Sequence, residues 1–184
     1  MSNSVNIAWR NPANSSWIVV GRLTSDSELY HFQYTKGASV NDFNGFAGMP
    51  DKHIKYSSKE LFPIFKNRIL PKRRPEYPDF LSWLSLTSAA SDLDILAASG
   101  GTKQTDNVQV FKNFEVCPDD SFEYYFFVHG LSHLHKSAQE YVDCLKENQK
   151  LYLAQDKQNP HDGYAIQVQQ RDPSHLLGYT PSYL

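Results

Sequence analysis

Two short runs near the amino terminus, WIVVGRL at 17–23 and ELYHFQYT at 28–35, predict a pair of strands. In the second run Tyr30, Phe32 and Tyr34 alternate with Leu29, His31 and Gln33, so one face is expected to be buried. The TSDS between the runs reads as a turn. Residues 36–56, with several glycines and a proline, predict an irregular loop. The period then changes. In SSKELFPIFKNRIL, Leu61, Phe62, Phe65 and Ile69 recur at helical spacing, and Ser57 with Glu60 has the spacing of a capping box. Pro63 argues that the regular helix begins late or is kinked. After a basic, proline-broken link, PKRRPEYP, come two short helices. DFLSWLSL has Asp79 as its expected N-cap. SDLDILAASGG has Ser91 and Asp94 at its start and Gly100 at its end.

DNVQVFKNFEV predicts another strand, and the turn cluster CPDDS at 117–121 is the preferred domain boundary. Beyond it the pattern predicts a strand FEYYFFVHG, a helix KSAQEYVDCLKE, a strand KLYLAQ, a rigid NPHD turn, a strand YAIQVQ and the exit HLLGYTP. There is no internal repeat and no low-complexity tract.

Composition narrows the picture. A chain of 184 residues allows one ordinary domain or two small ones, and 40% hydrophobic with 14% aromatic residues suffices for a packed core. The net charge of −2 argues against coating nucleic acid by bulk electrostatics, so any such binding would be local. Cys117 and Cys144 fit neither a disulfide scaffold nor a cysteine-rich zinc site, which points to a reducing cytoplasm. The polar start MSNSVNIAWRNPANSS reads as no signal peptide, and no apolar run is long enough to span a bilayer.

Several clusters invite chemistry. HGLSHLH offers His129, His133 and His135 as metal ligands, but no nearby cysteine or carboxylate completes a tetrahedral set, and a polar turn between strand and helix explains them without a metal. His161 and Asp162 could be an acid/base pair, yet neighbours on a turn seldom aim at one atom, and no nucleophile motif accompanies them. A plain turn in which Asp162 caps backbone N–H groups is the competing account. Lys66, Arg68, Lys72, Arg73 and Arg74 form the densest positive run, beside Tyr77, Phe80 and Trp83. It reads either as a solvated face or as an electrostatic path for a nucleic-acid strand. Gly100-Gly101 lacks the Lys-Ser/Thr ending of a phosphate loop. No catalytic residue, cofactor or metal is expected.

The segment from Phe122 to Leu184 resembles the HIRAN domain, through FFVHGLSHL, CLKENQKLYLAQD, NPHDGYAI and LLGYTP. The resemblance implies a compact, OB-like β-barrel with accompanying helices. The best-understood members, in the helicase-like transcription factor family, hold the 3′ end of single-stranded DNA. It also implies that the NPHD turn rims a binding pocket. Members that bind DNA ends carry an aromatic residue and an aspartate at this turn, where this chain has His161 and Asp162. They carry an Arg-Tyr pair after the Gly-Leu of the first strand, where this chain has Ser132 and His133. Tyr179, after the late glycine, is a further stacking candidate. HIRAN domains usually run on through another helix and strand, so the domain here is expected to be short or trimmed at Leu184. The chemistry suits the implied role. Pro160 stiffens the turn, and an ionised aspartate repels phosphate but accepts a hydrogen bond from a terminal hydroxyl. A flat ring beside it can stack on a base for about 1–3 kcal/mol.

Residues 17–111 resemble the N-terminal subdomain of HipA-type kinases, through GRL, YHFQYT, LFPIFKNRILP and DILAASGGTKQTDNVQVF. The kinase's catalytic loop and metal-binding residues are not in this chain. This resemblance implies a HipA-like kinase, with its helix-turn-helix antitoxin, as a partner. The expected architecture is α+β, with a HipA-N-like sheet-and-helix module at 1–116 and a HIRAN-like barrel with a flanking helix at 122–184. The expected function is non-catalytic recognition of single-stranded DNA or a DNA 3′ end through Ser132, His133, His161, Asp162 and Tyr179. The alternative is an interaction component of a HipA-type toxin–antitoxin system.

Overall fold

The computed structural model describes residues 4–103, 105–112, 124 and 126–181. The chain is mixed α+β and divides into two compact units, Met1–Tyr125 and Phe126–Leu184. No helix among the described residues is long and apolar enough to cross a membrane.

The first unit is built on an antiparallel five-stranded sheet. Its strands are β1 (Ser4–Arg10), β2 (Trp17–Ser25), β3 (Tyr30–Tyr34), β4 (Lys55–Ser58) and β5 (Val108–Lys112), in the order β4-β3-β2-β1-β5. The expected pair 17–23 and 28–35 is β2 and β3. Phe32 is fully buried, and its ring lies 4.8 Å from Tyr34, 5.7 Å from Phe46 and 5.6 Å from Phe65. Gly21 makes room for it, since a Cβ there would lie 2.5 Å from the Phe32 ring. β1 lies between β2 and β5 and buries Val5, Asn6, Ile7 and Ala8 in succession. A strand covered on both faces loses the two-residue alternation that would betray it. The irregular segment 36–56 feeds the core with Phe43, Phe46 and Met49. The Tyr34 hydroxyl pins it, donating to Met49 O at 2.7 Å and accepting from Phe46 N at 2.6 Å.

The helices correct two expectations. Ser57 and Ser58 belong to β4, so Ser57 and Glu60 form no capping box, and Ser57 instead pairs with His31 in the ladder. The helix that follows is a single turn, α1 (Pro63–Lys66), with Pro63 in its first turn, as the late start required. α2 (Tyr77–Trp83) starts two residues earlier than Asp79, which sits inside its first turn rather than at the N-cap. α3 (Asp92–Ser99) is as expected. Ser91 Oγ accepts from Asp94 N at 3.2 Å, Asp94 Oδ2 accepts from Ser91 N at 3.1 Å, and Gly100 closes the helix at φ +69°.

Arg68 is a core residue and no part of a surface path. Its side chain is 1% exposed. It donates to Ile64 O at 3.0 Å and Gly101 O at 2.7 Å, and pairs with Asp106. It thereby ties α1 to the end of α3 and the entry to β5. Lys66 is exposed and paired with Glu60 at 2.8 Å, while Lys72, Arg73 and Arg74 are exposed.

The second unit contains α4 (Lys136–Val142) and an antiparallel sheet of β6 (Tyr152–Gln155), β7 (Ile166–Arg171) and β8 (Ser174–Tyr179), in that order. Phe126–Gly130 adds one further bridge, His129 with Tyr179. The sheet is open: no closed barrel is formed among the described residues. The boundary cluster at 117–121, and residues 122, 123 and 125 of FEYYFFVHG, lie outside the described residues.

Arg68→Leu strands the buried Gly101 carbonyl and unpairs Asp106, and should cost about 2–4 kcal/mol in denaturant unfolding. Asp26 closes the β2–β3 hairpin, accepting from Glu28 N at 2.9 Å, His31 Nε2 at 2.9 Å and Leu29 N at 2.8 Å. These bonds, the Glu28 amide foremost, hold its carboxyl down at about 2. The stability they supply is complete above the ordinary aspartate value of about 3.9 and is lost as pH falls through the lowered one. Asp26→Asn should therefore flatten the fall in unfolding free energy between about pH 4 and pH 2.

Candidate nucleic-acid interface

The NPHD turn is held by three side chains spaced three residues apart. Asp156 Oδ1 accepts from Gln158 N at 3.1 Å. Asn159 Oδ1 accepts from His161 N at 2.9 Å and Asp162 N at 3.1 Å. Asp162 Oδ1 accepts from Tyr164 N at 2.9 Å. Each short polar side chain substitutes for a backbone partner, the usual device of an Asx-turn. Backbone bonds from Asp156 N to Ala165 O (2.8 Å) and from Ala165 N to Asp162 O (3.1 Å) close the loop onto β7. Asp162 is thus a turn cap, as the structural account proposed. Only one of its oxygens is used in this way; Oδ2 has no hydrogen-bond partner among the described residues.

Three segments meet at Tyr179. Its backbone exchanges bonds with His129, at 2.8 Å and 2.9 Å. Its hydroxyl donates to Asp156 Oδ2 at 2.9 Å. The next residue, Thr180, donates its N–H to Ile166 O at 2.9 Å. The side chain of Gln167, and then Tyr179, lower the Asp156 carboxyl below the usual range. Burial, and then the bond to Asp156, raise the Tyr179 phenol. The hydroxyl is therefore committed, and what Tyr179 offers a ligand is its ring. Gly178 permits the arrangement. It has φ +133°, and a Cβ there would lie 2.4 Å from His129 O and 2.5 Å from Val128 Cγ1.

Between these segments is an open concavity of about 1050 Å³. One wall is Gly130, His133 and Leu134; another is the turn from Asn159 to Asp162 with Tyr164; Leu176, Tyr179 and Thr180 complete it. Four of the five residues expected to bind DNA, His133, His161, Asp162 and Tyr179, line this one space. Ser132 is exposed beside it and is not among the lining residues. Among the described residues the lining holds no lysine or arginine, and Asp162 is its one acidic residue. Tyr164, 86% exposed at the rim, was missed by sequence reasoning, although an aromatic directly after the Asp-Gly of a rigid turn was the signal.

The other histidines of HGLSHLH have structural work. His129 is the bridge to β8. His135 is the N-cap of α4, its Nδ1 accepting from Ser137 N at 3.3 Å. No group of three or more metal-ligating side chains is assembled among the described residues. Lys72 and Arg73 line a different, smaller depression of about 370 Å³ in the first unit, with Leu61, Ile69, Leu70 and Asp92.

Residues 121–184 match the family model of the HIRAN domain. HIRAN is generally a DNA-binding domain, which is consistent with nucleic-acid binding by this segment. No curated protein and no solved structure matches the chain.

If Gly178 is what lets the three segments meet, Gly178→Ala should lower stability by about 2 kcal/mol or more. Amide exchange should also quicken first at His129 and Tyr179, whose mutual bonds it would push apart.

Proposed function

We propose that the second unit is a non-catalytic binding module that takes the 3′ end of single-stranded DNA into the pocket lined by His133, His161, Asp162 and Tyr179. One observation carries this reading: a rigidly held carboxylate, with one oxygen left over from the turn, lines a pocket that holds no lysine or arginine among the described residues. Such a pocket repels an internal phosphate and accepts a hydrogen bond from a terminal hydroxyl. His161, Tyr164 and Tyr179 border the same space with flat rings on which a terminal base can stack. Ser132, beside the pocket, is within the loop that a bound strand would pass. The open sheet, with the His129 bridge on its β8 edge, fits the described portion of an OB-like barrel. The absence of a cofactor or metal requirement, and a cytoplasmic location, belong to this same reading.

The test is affinity for oligonucleotides that differ only at the 3′ terminus. Asp162→Ala should weaken binding of a 3′-hydroxyl strand by about ten- to a hundredfold, the loss of a hydrogen bond to a charged group. A 3′-phosphate strand should bind the native protein poorly and the variant relatively better. An unchanged end preference in Asp162→Ala, with only a lower melting temperature, would make Asp162 a turn cap and nothing more.

A second reading concerns the first unit. Trp83, at the end of α2, is 73% exposed, and a large exposed aromatic is the side chain that most often anchors a protein interface. In the toxin–antitoxin reading this is where a HipA-like kinase docks, with the helix-turn-helix antitoxin as the third component. Trp83→Ala should then abolish co-purification of the full chain with such a kinase while leaving oligonucleotide binding intact.

A further inference from the structure

The sheet that carries the pocket also carries an aromatic–cation pair. The Arg171 guanidinium lies 3.9 Å from the centroid of the Tyr152 ring, a cation–π geometry, at the opposite edge of the sheet from the His129 bridge. Tyr152 is 36% exposed and Arg171 is exposed. Among the described residues no carboxylate pairs with Arg171. Among the described residues its charge is therefore uncompensated, and the tyrosine ring supports its guanidinium.

The register shows where this pair stands relative to the pocket. Tyr152 is opposite Gln169, and Gln169 is opposite Leu176, so these three side chains share one face of the sheet. Leu176 lines the pocket. The alternate face is the one that α4 covers: Tyr141 stacks on His175 at 4.6 Å, and His175 is opposite Gln170. Leu176 and Tyr179 of the pocket lining therefore share one face of the sheet with the Tyr152–Arg171 pair, joined by the polar row Gln167 and Gln169, whose amides bond each other. Two strand spacings separate the positions of Leu176 and Tyr152, about 10 Å. A stacked strand, rising about 3.4 Å per nucleotide, covers that in about three nucleotides.

We propose that Arg171, positioned by Tyr152, is a second nucleotide subsite that holds the strand upstream of the end bound in the pocket. The occupant is single-stranded DNA. The guanidinium presents its outer face to a base and its N–H groups to a phosphate, the cation that the pocket itself lacks. Gln167 and Gln169 offer amides to the sugar and bases between the two subsites. This rests on the pocket reading above and adds to it the direction in which the strand leaves.

The experiment uses the full chain and two 5′-labelled oligonucleotides with the same 3′-hydroxyl end, a dinucleotide and a decanucleotide, followed by fluorescence anisotropy. Tyr152→Ala and Arg171→Ala should each weaken the decanucleotide by about five- to a hundredfold and leave the dinucleotide unchanged. Tyr152→Phe keeps the ring and should bind as the native chain does. Arg171→Ala should reduce the slope of log affinity against log salt by about one. If both alanine variants bind the decanucleotide like the native chain while Asp162→Ala loses its end preference, the second subsite is wrong and the pocket reading stands. If Asp162→Ala is silent while the two sheet variants fail on the decanucleotide, the subsite stands and end recognition falls. Equal losses on the dinucleotide, or no binding of either strand by the native chain, overturn the proposal.

Discussion

The pocket depends on one short stretch, Gly178-Tyr179-Thr180. A strand normally spends its backbone groups on the two strands beside it. Here Tyr179 pairs with His129 on one side, while Thr180 reaches the start of β7 on the other. The Tyr179 side chain goes to Asp156, at the start of the turn that holds His161 and Asp162. Three pocket walls are thus referred to two residues. Only glycine fits before them, because any Cβ at 178 would collide with the His129 carbonyl. Such a junction sets wall positions through backbone bonds, which have few alternative geometries. The pocket is thereby preorganised in a unit whose buried hydrophobic side chains, among the described residues, are Ala138, Ala165, Val168 and Leu177.

Charge placement within that frame decides what the pocket can take. A concavity with arginines would draw in any phosphate and so favour strand interiors as much as ends. This one has imidazoles and a carboxylate. The carboxylate oxygen not used by the turn favours a ligand that donates, and a free 3′ terminus is where a nucleic-acid strand supplies a hydroxyl without an attached phosphate. The exposed arginine of the same sheet stands away from the pocket, on Tyr152. On the proposed function, attraction and discrimination are thus separated in space, so strengthening one need not blur the other.

Elements whose signals are local were legible in the chain. α3 was readable because Ser91, Asp94 and Gly100 satisfy its ends within the helix itself. β2 and β3 were readable because one face is buried and the alternation survives. β1 was not, since neighbours on both sides bury consecutive residues. The Ser57–Glu60 spacing misled because the hydrogen bonds of β4 to β3 claim the serine first. Arg68 looked like one more member of a basic run, and only the fold brings Gly101 and Asp106 around it. In the candidate site, the turn residues were legible as turn chemistry. Tyr152 and Arg171 were not, being 19 positions apart and joined only by strand register.

On the proposed function, nucleic acid is read by the pocket of the second unit rather than by the basic run of the first. A titration of the isotope-labelled full chain with a 3′-hydroxyl decanucleotide, followed by amide and side-chain NMR shifts, tests it most directly. The earliest and largest shifts are expected at His133, His161, Asp162, Tyr164 and Tyr179, with smaller ones at Tyr152 and Arg171. Shifts confined to Lys72, Arg73 and Arg74, with the pocket silent, would contradict it.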